Sequence, residues 1–551
     1  MTHESLRPSG VDVVVAGSGA AGLVAAITAA HSGANVLVLE SADEFGGTTA
    51  LSGGRVWIPG YRSTTDNIET GLQYMRQIYS PKYPEMVEAS ARTAPEMADF
   101  VEATTPHRWV ACPNYPDYHT DLPGSRAGGR CFDMVPLETD SLVPEARQVR
   151  IPPGYTPITH EDWESWRYPS YYDQAQIEER RNRDIRTAGV ALATALVDGA
   201  VRAGAQLVSS AALIGAHVDK EGAIESVDVR VAGVNGIVRI QTRALVLATG
   251  GYDQDPDLKN QLLPEPLAVS AAAPENTGTT LKLAGKLGAA LDNTEEGWWM
   301  PMVQVPGETL KGAEYPRGLV RERGAPRQIL VNRQGRRFVD EASPYNELGK
   351  ALHKRAQDGT YPNRDAFLIF DEVFRQKYAL PGLAPSGEVP SHVTQAESLE
   401  KLASAVGIDA NGLQETVTRW NESCKNAVDP DFGRGSNAYD RYYGDPAQPE
   451  APNFGPIDRA PYYAVRMLPG TIGSKGGPVT DVNANVLRPD GTAIAGLYAA
   501  GNAAAFWTGD GYPGPGATLA VGMTFGYRAG KAIAKQMAYP SIKASVALNG
   551  S

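Results

Sequence analysis

Apolar residues fall along this chain in two rhythms. Val11–Ala16 is an unbroken apolar, β-branched run of strand length, and Asn35–Leu39 is a second one ending on Glu40. Between them Leu23–His31 carries helix formers and Gly33 stops it, so the opening residues predict a strand–helix–strand unit. Ala244–Gly251 (ALVLATGG) reads as another buried strand, with a glycine end. Thr187–Ala203, closed by Gly204, and Pro81–Thr105 have the helical period. Ala205–Ser209 reads as a strand, and Ile214–Val218 with Val227–Val234 as a small antiparallel layer. Asn276–Ala290 predicts a helix with Asn276 or Thr277 as its N-cap. From Trp298 to about Gly470 the composition shifts to charge, proline and amphipathic helix, including Ser398–Val406 and Gly412–Cys424. There Ile329–Phe338 reads as strand, turn and strand, and a helix starts at Asn346. Small apolar residues return at Gly496–Asn502, and Ala517–Ala534 predicts a further helix.

The turn inside the first unit carries chemistry. Gly17-Ser18-Gly19-Ala20-Ala21-Gly22 matches G-x-G-x-x-G between a strand and a helix. Gly17 permits the tight turn, Gly19 lets backbone approach a pyrophosphate, and Gly22 lets helix and strand pack closely. The helix N-terminus adds N–H donors and positive dipole. Glu40, 18 residues past Gly22, can accept hydrogen bonds from an adenosine ribose, with Ser41 beside it. The pattern admits FAD or NAD.

Length and charge narrow the class. With 551 residues the chain can hold two or more domains, and 42% hydrophobic with 21% charged residues suits a globular protein. A net charge of −12 argues against nucleic acid or an anionic membrane as partner. Three cysteines, Cys112, Cys131 and Cys424, make no disulfide framework or metal cluster and fit a reducing cytoplasm. The leading MTHESLRPSG has no apolar signal core, and no apolar run reaches membrane-spanning length. No metal site is expected.

Glu44–Gly60 (EFGGTTALSGGRVWIPG) is a loop dense in Gly, Thr and Ser, suited to wrapping phosphates and a ribityl chain. With the TGG strand, the ILVN-RRF-E segment and the GLYAAGN to TFGYRAG tail, it makes nearly the whole chain resemble the fumarate reductase and 3-ketosteroid Δ1-dehydrogenase flavoprotein superfamily. The resemblance implies FAD and an α/β fold: a Rossmann-like two-dinucleotide-binding FAD domain at 1–294 and 471–551, with an inserted α+β substrate domain at 295–470. It places the cofactor on Gly17, Gly19, Ala20, Ala21, Gly22, Glu40, Ser41, Gly47, Thr48, Thr49, Ser52, Gly53, Gly54, Thr249, Gly250, Gly251, Gly501, Asn502, Gly516, Ala517, Thr518 and Leu519.

Site residues separate the branches. Fumarate reductases carry an arginine four residues past the glutamate of the RF-E segment; four past Glu341 stands Tyr345. They carry histidines before a Gly-Gly pair; Ile472, Gly473, Ser474 and Lys475 stand before Gly476-Gly477. Their glycine-loop arginine has no counterpart in Tyr512–Gly516, and Arg321 and Arg323 do not replace the set. The ketosteroid dehydrogenases instead match at the PY helix start (Tyr345), at YPGPGAT (Tyr512–Thr518) and at Pro116-Asp117-Tyr118. The resemblance then implies trans removal of two hydrogens α and β to a ketone. Tyr512 O–H and Gly516 N–H would hold the carbonyl oxygen, and Tyr345 would take the α proton. Tyr118 would stabilise its phenolate, and flavin N5 would accept the hydride. Tyr115, Trp298 and Trp299 are candidate pocket walls; inter-domain core is an equal reading for the tryptophans.

The resemblance implies a small apolar ketone as substrate and leaves the electron acceptor unidentified. A 3-ketosteroid is the leading reading and a smaller ring ketone the alternative, since the aromatic Trp163–Tyr172 segment could shrink the pocket as a lid or instead make a subunit contact. A fumarate-reductase-like reductase and a non-catalytic flavoprotein are the lesser readings.

Overall fold

A computed structural model describes residues 10–264 and 267–538, so the leading segment read for a signal core lies almost wholly outside the described residues. Val13–Ala16, the central apolar run, pairs in parallel with Val36–Leu39 on one side and Ala244–Leu247 on the other. Gln206–Val208 and Ala493–Ala499 extend the parallel array outward, and Asn485–Leu487 closes one edge antiparallel. All four residues of each central strand are buried, as a sheet covered on both faces requires. Helix Ala20–His31 packs against both Ala188–Arg202 and Ala517–Ala538 on one face; an antiparallel meander, Ala211–Val218, Ile224–Val231 and Val238–Gln241, covers the other. The fold class is thus α/β, with a Rossmann-like cofactor domain.

A second sheet of seven strands is built around one long strand, Tyr462–Ser474. It pairs with Ala366–Asp371, Val393–Ala396 and Gly297–Val303, and in parallel with Val269–Ser270. Its last residues pass the expected junction at 470, so one strand joins the substrate sheet to the cofactor region. Helices Leu399–Val406 and Ala410–Asn426 cover its outer face.

Local geometry departs from the sequence reading at a few places. The helix after Asn276 begins at Thr279, and its cap is Gly278 in a left-handed conformation, with no side-chain cap. Asn276 instead reaches back to the cofactor loop, its Nδ2 donating to Thr48 Oγ1 (3.3 Å). The Glu44–Gly60 loop contains a short helix, Gly47–Leu51, and a strand, Val56–Trp57. After Gln328–Asn332 the expected second strand is only a bridge from Val331 to Arg337, because Arg337 turns inward to Glu341 and Asp429. No helix among the described residues is long and apolar enough to cross a membrane.

Candidate active site

One continuous cavity of about 610 Å³ runs from the first βαβ turn to the substrate sheet. At its near end Gly17 holds φ +107°, and a Cβ there would lie 2.2 Å from the Ala248 carbonyl oxygen. Gly22 meets Gly17 just as closely, so both glycines set how near the helix N-terminus comes to the strands. Glu40 is buried at the end of its strand. Its Oε2 accepts from the Ser18 N–H (3.1 Å) and hydroxyl (2.6 Å), and its Oε1 from the Ala42 N–H (2.9 Å). That fixes the carboxylate in the wall while a carboxylate's remaining lone pairs can serve a ribose. Thr49 Oγ1 accepts the Ala20 N–H (2.9 Å), tying the glycine turn to the second loop.

At the far end three phenols from three distant segments converge. Tyr345 O–H donates to the Tyr512 hydroxyl (2.7 Å), their rings edge to face at 5.5 Å. The Tyr118 ring lies 5.0 Å from that of Tyr512 and 5.6 Å from that of Tyr345. Each is placed by its own scaffold. Tyr345 opens the helix Tyr345–Leu352, and the next residue, Asn346, accepts the Trp299 N–H (3.1 Å) and donates to the Asp510 carbonyl (3.2 Å). Tyr118 donates its backbone N–H to the Pro513 carbonyl (2.9 Å). Its loop is held by the buried guanidinium of Arg130, paired with Asp117 and Asp66 at 2.8 Å each. Tyr512 packs edge to face on Trp298 at 4.8 Å. Beneath it Lys475 Nζ donates to the Gly509 (2.8 Å) and Gly511 (3.3 Å) carbonyls and sits 3.8 Å from the Trp298 ring centre.

Gly516 caps the helix Ala517–Ala538 with φ +94°, and a Cβ would lie 2.4 Å from the Arg55 carbonyl oxygen. Its N–H makes no hydrogen bond among the described residues. A donor left free at a helix N-terminus beside a phenol can bind a developing oxyanion. Burial pushes the Tyr345 phenol well above its ordinary range; Tyr512 adds to the shift, and Tyr118 opposes it. Burial likewise raises Tyr118 and Tyr512. Burial lowers Lys475 to about 7, against the pull of Glu296.

The cavity gathers most of the residues singled out in the sequence: Tyr115, Tyr118, Tyr345, Tyr512 and Gly516, and the glycine- and threonine-rich loops from Gly17 to Gly54. Thr249, Gly250, Gly501, Asn502, Thr518 and Leu519 line it too. Four expected residues stand back. Gly22 acts only in packing, as its fingerprint role implies. Gly251 packs on Ser474, whose Oγ is 2.1 Å from where its Cβ would be, and Ala517 is buried with its N–H donated to the Gly514 carbonyl (3.2 Å). Trp299 is not a pocket wall: strand alternation turns it away from Trp298, into a cluster with Tyr252, Leu263 and Leu281 and onto His353 at 4.5 Å. Trp298 does line the cavity, its Nε1 donating to Asn502 Oδ1 (3.0 Å). Tyr115 stacks on His160 at 4.5 Å, and its hydroxyl meets that of Tyr443 at 2.5 Å. Sequence reasoning overlooked Arg55 and the lining segments Pro152–Thr156 and Tyr315–Gly318, and it weighed Arg321 and Lys475 only against the reductase pattern, without a role in this site. A cation directly after the Gly53-Gly54 turn was the one available signal.

The cavity fits FAD. It joins a glycine cradle at a helix N-terminus to the buried Glu40 carboxylate and to Thr48, Thr49 and Ser52 of the second loop, all of which line it. Comparison with known proteins agrees. The family model described as FAD binding domain matches residues 12–519. The chain is 36% identical to 3-oxosteroid 1-dehydrogenase of Mycobacterium tuberculosis, over 95% of this chain and 98% of that protein. It is 35% identical to 4-oxocyclohexanecarboxylate 2-dehydrogenase of Sinomonas cyclohexanicum, over 96% and 93% of the two chains. The crystal structure of 3-ketosteroid Δ1-dehydrogenase from Sterolibacterium denitrificans, in complex with 1,4-androstadiene-3,17-dione, superposes with a TM-score of 0.88 at 32% identity, covering 96% of this chain and 99% of that one. The chain therefore belongs to the FAD-binding domain family, as an FAD-dependent oxidoreductase of the 3-ketosteroid Δ1-dehydrogenase-like branch acting on a CH–CH bond.

Proposed function

We propose that the protein desaturates the C1–C2 bond of a 3-ketosteroid. The observation that carries this reading is the convergence of Tyr118, Tyr345 and Tyr512 beside the free Gly516 N–H in the cofactor cavity. Tyr512 O–H and Gly516 N–H donate to the ketone oxygen and stabilise the enolate that forms as the α proton leaves. Tyr345 takes that proton at its phenolate oxygen, and Tyr118 donates a hydrogen bond to the same oxygen. FAD, when bound, supplies the acceptor for the hydride. Trp298 and Lys475 hold the Tyr512 loop from behind. The division into a cofactor domain at 1–294 and 471–551 and a substrate domain at 295–470 belongs to this reading. So does a cytoplasmic enzyme passing electrons to an acceptor still to be identified. A dye-coupled assay with 4-androstene-3,17-dione tests it: the expected product is the 1,4-diene-3-one, and turnover of cyclohexanone alone would move the assignment to small rings. That second reading has one specific support, the similarity to the cyclohexanecarboxylate enzyme.

A further inference from the structure

Two cations at the tyrosine end of the cavity have no hydrogen-bonded carboxylate among the described residues. Arg55 follows the Gly53-Gly54 turn and lines the cavity. Its nearest carboxylate is Asp133, with Nε 3.9 Å from Oδ1, too long for a hydrogen bond; both of those buried atoms lack any partner. Asp133 Oδ2 accepts the His160 backbone N–H (2.6 Å). Arg321 also lines the cavity, and its guanidinium lies on the Trp163 ring, 4.3 Å from the centroid. It makes no ion pair among the described residues, and the adjacent Glu322 is turned to its backbone N–H (2.9 Å). Burial lowers the Arg321 pKa, and Arg55 pushes it further down, so the two guanidiniums repel each other. His160, held to about 4 by burial and then by Arg55, is neutral and adds no third positive charge. By contrast Arg317, in the same wall, is fully paired with Glu308 at 2.5 Å. Arg55 thus keeps only the distant charge of Asp133, and Arg321 only that of Glu322, whose carboxylate is turned to the backbone, in a buried site where a charge without a hydrogen-bonded partner is costly.

We propose that Arg55 and Arg321 form a carboxylate subsite, so that the ring ketone this enzyme accepts bears an acidic group at the end away from its carbonyl. Arginine suits the task because its planar donors bind a carboxylate bidentately. Tyr115, stacked on His160, lines the same cavity as this pair and the reacting phenols. The Trp163–Tyr172 segment then backs the subsite through Trp163. This inference rests on ketone dehydrogenation as proposed above and specifies which ketones.

The test uses holoenzyme and pairs in which a methyl ester masks the charge: 3-oxo-4-androstene-17β-carboxylate against its methyl ester, and 4-oxocyclohexanecarboxylate against its methyl ester. In at least one pair the acid should exceed the ester in kcat/KM by about tenfold or more. Arg321→Met and Arg55→Met should collapse that ratio through KM for the acid, and Arg321→Lys should restore part of it. Binding of 4-hydroxybenzoate, which cannot be desaturated, should perturb the flavin spectrum at lower concentration than 4-hydroxybenzamide, and Arg321→Met should erase the difference. Acid and ester used equally, or a ratio unchanged in both Met variants, would overturn the subsite. If none of the four ketones is oxidised, the dehydrogenase reading fails; the hydroxybenzoate comparison still decides the subsite, equal binding of acid and amide overturning it.

Discussion

At the scale of single residues the phenols must divide the work, since their chemistry is identical and only position distinguishes them. Tyr345→Phe and Tyr512→Phe each remove one oxygen from a buried ring, so fold and flavin content should persist. Each should lower turnover by roughly 10²-fold or more. Loss of Tyr345 should abolish exchange of the substrate's α-hydrogens with deuterated water while ketone binding remains. Loss of Tyr512 should weaken both. Because burial raises the Tyr345 pKa, activity should climb with pH on the alkaline side as the phenolate forms. Tyr118→Phe should move that limb higher, since it removes a group that favours the phenolate. A limb that stays put in Tyr118→Phe would remove Tyr118 from this role. All three tyrosines could be singled out from the sequence, but only through family motifs; nothing in their local composition distinguishes Tyr118 from Tyr115 three residues earlier.

At the scale of elements, the segment Gly509–Gly516 and the helix it feeds decide whether Tyr512 and Gly516 face one point. Lys475 is the device that holds this segment, through two carbonyls and the Trp298 face. Lys475→Met should lower kcat by about tenfold or more while FAD remains bound, through a misplaced Tyr512. The same residue leaves a signature in stability. Its pKa is about 7 in the folded protein against 10.5 in the reference state, so between those values the unfolded chain binds more protons. Its contribution to stability should therefore rise with pH from about 7 to about 10.5, and denaturant titrations of Lys475→Met should lose that slope. The helices and parallel strands were legible from periodicity. The cap at Gly278 and the bridge at Arg337 were not, because each is set by a tertiary partner, Thr48 for Asn276 and Asp429 for Arg337.

At the scale of the whole molecule, cofactor and pH act on the fold together. The protein should purify yellow with one FAD per chain, released by acid or denaturant without covalent residue, since Thr48–Gly54 holds no histidine to form a link. Removal of FAD should lower the melting temperature, and its return should restore it. Acid should destabilise the protein through buried histidines. Burial lowers His107 to about 3 and His353 to about 4, and the ring nitrogens of both lack partners. As pH falls below 6.5 the unfolded chain takes up protons that the folded one refuses. Stability should then fall by about 1.4 kcal/mol per pH unit for each histidine until its folded pKa is reached. His107→Phe should shallow that slope whatever its effect on stability at neutral pH.

The sequence by itself determined the cofactor fold. Strand length, buried runs, the glycine fingerprint and its terminal acid are all local patterns, and local patterns suffice where backbone conformation is the constraint. It also indicated the branch, because Tyr345 and Tyr512–Thr518 stand in motifs that differ from those of the reductases. Tertiary structure alone decided which side of each strand faced the cavity. Trp298 and Trp299 are equivalent as sequence, yet strand alternation sends one to Tyr512 and the other to His353. It alone brought Arg55 and Arg321, 266 positions apart, to one cavity, neither with a hydrogen-bonded carboxylate. Charge pairing is a property of distances in space, and no spacing along a chain reports it.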